Sequence, residues 1–241
     1  MNEEPVVVAR SVTRRFVDGA SEVHALRGVD LTLAAGEFVA LMGASGSGKS
    51  TLLNIIAGVD TPTSGTVAVL GVDLTSASLR RRADLRLRRI GYVFQNINLL
   101  PDLTLLENVT LPLEAVTGLR GSKAERHALD RLELVGVAGL SRRYPGEVSG
   151  GERQRAAIAR AIVGERKLLL ADEPTGALDT DTGASVLRTI QAVCADGVTA
   201  LVSTHNPVVS AAAGRVLRMT DGRLAPDDAA GLPGSVDAGD S

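Results

Sequence analysis

The chain reads as an α/β protein with a mainly parallel sheet, an antiparallel β subdomain near its start and a helical insertion in its middle. Three observations predict this. Apolar runs of strand length stand at 168–171, 199–203 and 215–219, with a helix from about 181 to 193 between the first two, and strand–helix alternation builds parallel sheets. Near the start, 29–33 alternates apolar and polar side chains, the mark of a half-buried strand. From 96 to about 146 the texture turns helical, with two sites of capping-box spacing, Thr104 to Glu107 and Ser122 to Glu125.

Taken in order, 6–10 and 12–16 read as strand, followed by the Asp18-Gly19 turn. The run 38–42 is a short apolar strand that opens into a glycine-rich loop and an apolar helix, about 51–57. A turn cluster at 61–65 leads to a strand at 66–70. The segment 79–89 carries six arginines, with Leu79, Ala83, Leu85 and Leu87 as its buried side, which makes it a solvated helix rather than a nucleic-acid patch. A strand at 90–94 ends at Gln95. In the insertion Pro101 and Pro112 punctuate the chain, and Leu129, Leu132, Leu134 and Val135 form an apolar stripe. Asp221-Gly222 marks a hairpin turn, and 226–241, rich in Ala, Gly, Asp and Pro, is expected to be a disordered tail. One domain is therefore expected over 1–225, with a helical subdomain at about 96–160.

Composition narrows the function. Net charge is −2 and aromatic content 2% with no Trp, so neither a basic surface nor a stacking platform favours nucleic acid. The single cysteine, Cys194, forms no internal disulfide and sits in an apolar run, as a core residue would. His24 and His127 have no acidic or cysteine partner at metal-ligand spacing. No apolar stretch is long enough to cross a membrane, and the start of the chain lacks the pattern of a signal peptide. A cytoplasmic protein is expected, unless a partner holds it at the membrane.

Chemistry concentrates in three places. Gly43, Ala44, Ser45, Gly46, Ser47, Gly48, Lys49, Ser50 and Thr51 form a phosphate-binding loop between strand and helix. The glycines turn backbone N–H groups inward as an anion nest, and the helix dipole points its positive end at the same spot. Lys49 adds charge for the β- and γ-phosphates, and Ser50 offers a hydroxyl to Mg²⁺. This predicts a P-loop NTPase core, RecA-like in class. The apolar strand at 168–171 ends in Asp172 and Glu173; a carboxylate there holds Mg²⁺, and its neighbour can polarise water. Ser149, Gly150, Gly151 and Glu152 open another apolar helix as a second anion nest.

Together these motifs resemble the ATP-binding cassette (ABC) ATPases, the nucleotide-binding subunits of ABC transporters. Residues 43–51 resemble the Walker A loop, 168–173 the Walker B strand with its glutamate, and 148–152 the signature motif. Gln95 falls at the Q-loop, 176–179 with Asp179 at the D-loop, His205 at the switch histidine and Phe16 at the adenine-stacking aromatic. Residues 57–65 and 91–109 resemble the subgroup serving lipoprotein release, macrolide export and cell division. The chain departs from the commonest family residues at Ala44 (often Pro), Val148 (often Leu), Glu152 (often Gln) and Phe16 (often Tyr).

The resemblance implies ATP and Mg²⁺ as ligands, with Lys49, Ser50, Asp172 and Gln95 around the metal and phosphates. Glu173 is implied as base or water-orienter, and His205 as a γ-phosphate contact. It implies a second ATPase subunit, expected to be another copy of the chain, whose Ser149–Gly151 caps the phosphate. It further implies a membrane permease with an extracytoplasmic domain, placing the chain peripherally on the cytoplasmic face of the membrane. Two other readings stand beside transport. One is a signal-transmitting ATPase moving an extracytoplasmic regulator; the other is a soluble ABC ATPase, for which neither a long coiled-coil insertion nor a second cassette is present. The loop 96–101, directly after Gln95, is expected to form part of a groove for the permease through Leu99 and Leu100, unless both leucines pack beneath the helix that follows.

Overall fold

The computed structural model describes residues 4–225 apart from 20 and 177. The tail at 226–241 and Ala177 lie outside the described residues.

Two sheets meet around the first helix. Strands β1 (Val7–Asp18), β2 (Ser21–Leu33), β4 (Ser64–Val69) and β5 (Val72–Asp73) form an antiparallel sheet in the order β2-β1-β4-β5. The two runs read near the start are one strand with a bulge: Ser11 takes a positive φ of 48° and the register with β2 shifts between Ala9 and Val12. The first half of β2 was not legible as strand, because Gly28 at φ 80° and flanking charges break its alternation.

The second sheet comprises β3 (Phe38–Met42), β6 (Ile90–Val93), β7 (Leu168–Asp172), β8 (Thr199–Thr204), β9 (Arg215–Thr220) and β10 (Arg223–Leu224), ordered β10-β9-β3-β8-β7-β6. All its pairs are parallel except β10–β9, the hairpin predicted at Asp221-Gly222, where both residues have positive φ. Its central strands are buried on both faces, and their alternate side chains feed two cores. Leu168, Leu170 and Leu201 join the antiparallel sheet and α1 (Lys49–Ile56). Leu169, Ala171 and Val202 join the helical side.

That side is built from α3 (Leu105–Thr117), α4 (Ser122–Leu134), α5 (Gly150–Ile162) and α6 (Thr180–Ala195), whose buried faces share one core. The Thr104–Glu107 capping box is present at α3: the Glu107 carboxylate accepts from Thr104 N–H at 2.7 Å, and Thr104 Oγ1 from Glu107 N–H at 3.2 Å. The box expected at Ser122 is not. Gly121 is the N-cap of α4, so Ser122 already lies inside the helix. Pro112 sits within α3 and does not end it. In α2 (Leu79–Arg89) only Leu85 is buried, while Leu79 and Leu87 are exposed, so the apolar side expected there is mostly on the surface. Cys194 is half-buried against the helical core, and burial pushes its thiol up to about 11.

Candidate functional site

The parallel strands β3, β6, β7 and β8 deliver their C-terminal ends to one place. After β3 comes the phosphate loop, after β6 Gln95, at the end of β7 Asp172 and Glu173, and after β8 His205. Ligands of open parallel sheets bind at such carboxyl ends. A cleft of about 590 Å³ lies there, lined by the loop residues Ser45, Gly46, Gly48, Lys49, Ser50 and Thr51, by Gln95, Glu173 and His205, and by Val23, His24 and Ala25 of β2.

The loop is gripped tightly enough to demand glycine at two positions. A Cβ on Gly43 would lie 2.4 Å from the Met219 carbonyl oxygen. A Cβ on Gly48, whose φ is 108°, would lie 2.5 Å from the Ala25 carbonyl oxygen. The β9–β10 turn completes the grip, since Gly222 N–H donates to the Ser47 carbonyl at 2.9 Å and Arg27 N–H to the Gly222 carbonyl at 2.8 Å. In the sequence Asp221-Gly222 reads only as a turn; its clamp on the loop depends on β9 and β2 converging, which no local pattern reveals.

Lys49 is buried, and its ammonium donates to the loop's own Gly43 and Ala44 carbonyls at 2.8 and 3.0 Å. It also lies 3.7 Å from Glu173 Oε1, while His205 Nδ1 lies 3.1 Å from Glu173 Oε2. The cleft therefore holds a cation, a carboxylate and an imidazole in contact. Ser47 Oγ is buried with no hydrogen-bond partner among the described residues. Such a cradle fits a polyphosphate: it offers donors and one buried charge to an anion.

Asp172 is buried, and its Oδ1 accepts a hydrogen bond from the Ser203 hydroxyl. Glu173 N–H donates to Ser203 Oγ at 3.0 Å, and Glu173 itself adopts a left-handed φ of 46°. Ser203 thus holds the Asp172 carboxylate and the Glu173 backbone. Nothing in the sequence singles it out except its place two residues before His205. Among the described residues no group of three His, Cys, Asp or Glu could hold a metal alone. The donors present, Ser50 and Asp172, suit a hard cation that takes the rest of its shell from phosphate oxygens and water.

The other predicted residues lie elsewhere. Phe16 pairs with Val23 across the β1–β2 ladder, is 42% exposed, and has the Arg14 guanidinium 4.4 Å over its ring. Ser149 and Glu152 form a capping box on α5, Glu152 Oε2 accepting from Ser149 N–H at 2.8 Å. Asp179 caps α6, accepting from Thr182 N–H at 3.0 Å and the Thr182 hydroxyl at 2.7 Å. These hydrogen bonds hold both carboxyls below the usual range, the Glu152 shift coming first from the Ser149 backbone and the Asp179 shift from the Thr182 side chain. The two caps touch: a Cβ on Gly151 would fall 1.9 Å from Thr182 Cγ2. None of Ser149, Gly150, Gly151 or Glu152 lines the cleft around Lys49.

This loop, carboxylate pair and separate glycine-led helix on an α/β core define a nucleoside-triphosphate-binding cassette. The family described as ABC transporter matches residues 26–176, and the chain belongs to it, as an ATP-binding ATPase domain. An uncharacterised ABC transporter ATP-binding protein of Mycobacterium tuberculosis is 44% identical over 94% of this chain and 91% of its own. The lipoprotein-releasing system ATP-binding protein LolD of Bordetella pertussis is 44% identical over 92% of this chain and 96% of its own. A dimeric post-hydrolysis structure of the ATP-binding cassette MJ0796, bound to ADP and Pi, superposes with a TM-score of 0.84 at 37% identity, over 90% of this chain and 96% of that one.

Proposed function

We propose that the chain is the ATP-hydrolysing subunit of an ABC transporter, working as a head-to-tail dimer to drive a membrane permease for export or lipid-linked cargo. The observation that carries this is the separation of the two anion nests. Lys49, Gln95, Glu173 and His205 share one cleft, whereas Ser149–Gly151 sits outside it. A second copy would bring its own Ser149, Gly150 and Gly151 over the first copy's γ-phosphate. The relative MJ0796, dimeric with ADP and Pi bound, supports a unit of two chains.

In this reading Phe16 stacks on the adenine, and Gly43–Thr51 wraps the phosphates. Mg²⁺, held by Ser50, Asp172 and Gln95 with the phosphate oxygens, would neutralise charge on the β- and γ-phosphates. Glu173 accepts a proton from the attacking water as the terminal phosphoryl group leaves ADP, and His205 donates to the γ-phosphate. ATP must pull Lys49 away from the Gly43 and Ala44 carbonyls, which frees Glu173 from its ion pair. Glu152 and Asp179 act by capping α5 and α6, which fixes the glycine nest relative to the 176–179 loop.

The permease contact falls in an apolar groove lined by Leu87, Phe94, Leu100, Leu111 and Pro112. No helix among the described residues is long and apolar enough to cross a membrane. In this reading the permease, with its extracytoplasmic domain, holds the chain at the cytoplasmic face of the membrane.

The test is Glu173→Gln. ATP binding is retained and turnover falls by on the order of 10²–10⁴, the worth of a positioned base. Turnover near the wild-type rate assigns the work to another group.

A further inference from the structure

The six arginines of α2 line no part of the nucleotide cleft, and their setting is not that of a solvated helix with a buried apolar side. Inward, Leu85 is buried and the Arg86 guanidinium donates to the Gly58 carbonyl. Leu79, Ala83 and Leu87 recur every fourth residue, which stacks them along one helix face. That face is open: Leu79 is 78% exposed, Leu87 39%, and Ala83 is exposed with them. A surface helix normally turns such a stripe toward the core. Here it stays outside, beside Arg80.

Charge on α2 is equally one-sided. Asp84 is its only acid, and Arg88 already holds that carboxylate at 2.7 Å. Arg89 reaches Glu165 at 3.6 Å. The Arg80 and Arg81 side chains are exposed and have no hydrogen bond or ion pair among the described residues. Exposed leucine beside uncompensated guanidinium suits a bilayer surface: the apolar side chain enters the headgroup boundary while the cations meet lipid phosphates. A nucleic-acid backbone would use the charge and leave the leucines wet. Position along the helix agrees. Ala83 and Leu87 line the groove proposed for the permease, whereas Leu79, Arg80 and Arg81 lie outside it. A permease seated in that groove brings the start of α2 close to the surrounding lipid.

We propose that the start of α2 is a membrane-contact element, with Leu79 entering the interface of an anionic phospholipid bilayer and Arg80 and Arg81 binding its phosphates. Its place beside the permease rests on the groove reading; its affinity for lipid does not.

The experiment is co-sedimentation of the full chain, without a permease, with vesicles of phosphatidylcholine alone or mixed in equal parts with phosphatidylglycerol. Wild type should bind the mixed vesicles only, and less as salt rises. A basic residue at an anionic surface corresponds to roughly fivefold in partitioning, so Arg80→Ala combined with Arg81→Ala should lose about 25-fold. The salt dependence should flatten with it. Leu79→Gln should lose about tenfold and keep the wild-type salt dependence, because it removes apolar contact and no charge. Melting temperature and ATP affinity should stay at wild-type values, since all three side chains are exposed and outside the nucleotide cleft. Failure to bind the mixed vesicles, or binding that neither variant weakens, overturns the proposal. So does a wild-type chain that binds a DNA duplex in place of vesicles, which would make the arginines a nucleic-acid contact. Co-purification of the permease separates the two levels. If the double arginine variant loses the permease and vesicles never bind, the surface belongs to the protein partner and the lipid assignment falls. If Leu100→Asp keeps the permease while the vesicle results hold, only the groove reading falls.

Discussion

At the residue scale, the site is organised by groups that hold other groups. Ser203 is the clearest: its hydroxyl donates to buried Asp172 and accepts from Glu173 N–H. Ser203→Ala removes a hydrogen bond to the Asp172 carboxylate and loosens a candidate metal ligand. Such supporting partners are worth about 10- to 100-fold in metal affinity or activity. The apparent Mg²⁺ requirement of ATP hydrolysis should rise by about that factor, with the melting temperature little changed. An unchanged Mg²⁺ titration would show that Asp172 needs no such support. Cys194 offers a second check. With its thiol pushed up to about 11 by burial, the thiolate is scarce near neutrality, so alkylation at pH 8 should be slow in the folded protein and accelerate on denaturation. Equal rates in both states would contradict its burial.

At the element scale, the sequence was most legible where one residue type has one physical use. The glycines and Lys49 of the loop, the acids ending β7, and Thr104 with Glu107 each name their own local structure. What stayed hidden depends on neighbours distant in sequence: the Gly222 clamp, the role of Ser203, and the first half of β2. The loop after Gln95 shows the same limit. Leu99 and Leu100 are adjacent and chemically identical, yet Leu99 is 9% exposed in the helical core and Leu100 is 44% exposed in the groove. Asn108 sets the difference, its side chain accepting from Leu100 N–H at 2.8 Å and donating to the Leu100 and Leu103 carbonyls at 3.0 Å. The expectation that both face the permease is therefore corrected. Leu99→Asp buries a charge and should lower the melting temperature by several degrees. Leu100→Asp should leave it unchanged and weaken co-purification of the permease. The opposite pattern would place the docking surface elsewhere.

The helix caps add a pH dependence at this scale. Hydrogen bonds from the Thr104 backbone and then its side chain hold Glu107 below the usual carboxylate range. A carboxylate depressed by folding stabilises above its unfolded pKa, and that stabilisation is lost as pH falls through the folded value. Glu107→Ala should therefore lower the melting temperature most near neutrality, and the gap from wild type should narrow in acid. A gap constant down to pH 3 would mean that the ionised carboxylate contributes nothing to the cap.

At the scale of the whole molecule, everything turns on the two nests lying apart in one chain. Gly150 and Gly151 are adjacent but differ in what they tolerate. A Cβ on Gly151 collides with Thr182, whereas one on Gly150 makes ordinary contacts with Leu178 Cδ2 at 3.5 Å and Arg153 Nη2 at 3.9 Å. Gly150→Asp therefore fits within the protomer and puts negative charge where the partner's γ-phosphate would lie. The deciding measurement is the sedimentation of Glu173→Gln with ATP, alone and combined with Gly150→Asp. The account predicts an ATP-dependent dimer for the single variant, and a monomer that still binds ATP for the double variant. A dimer that survives Gly150→Asp, or no dimer at all in Glu173→Gln, would contradict a site completed by the second chain.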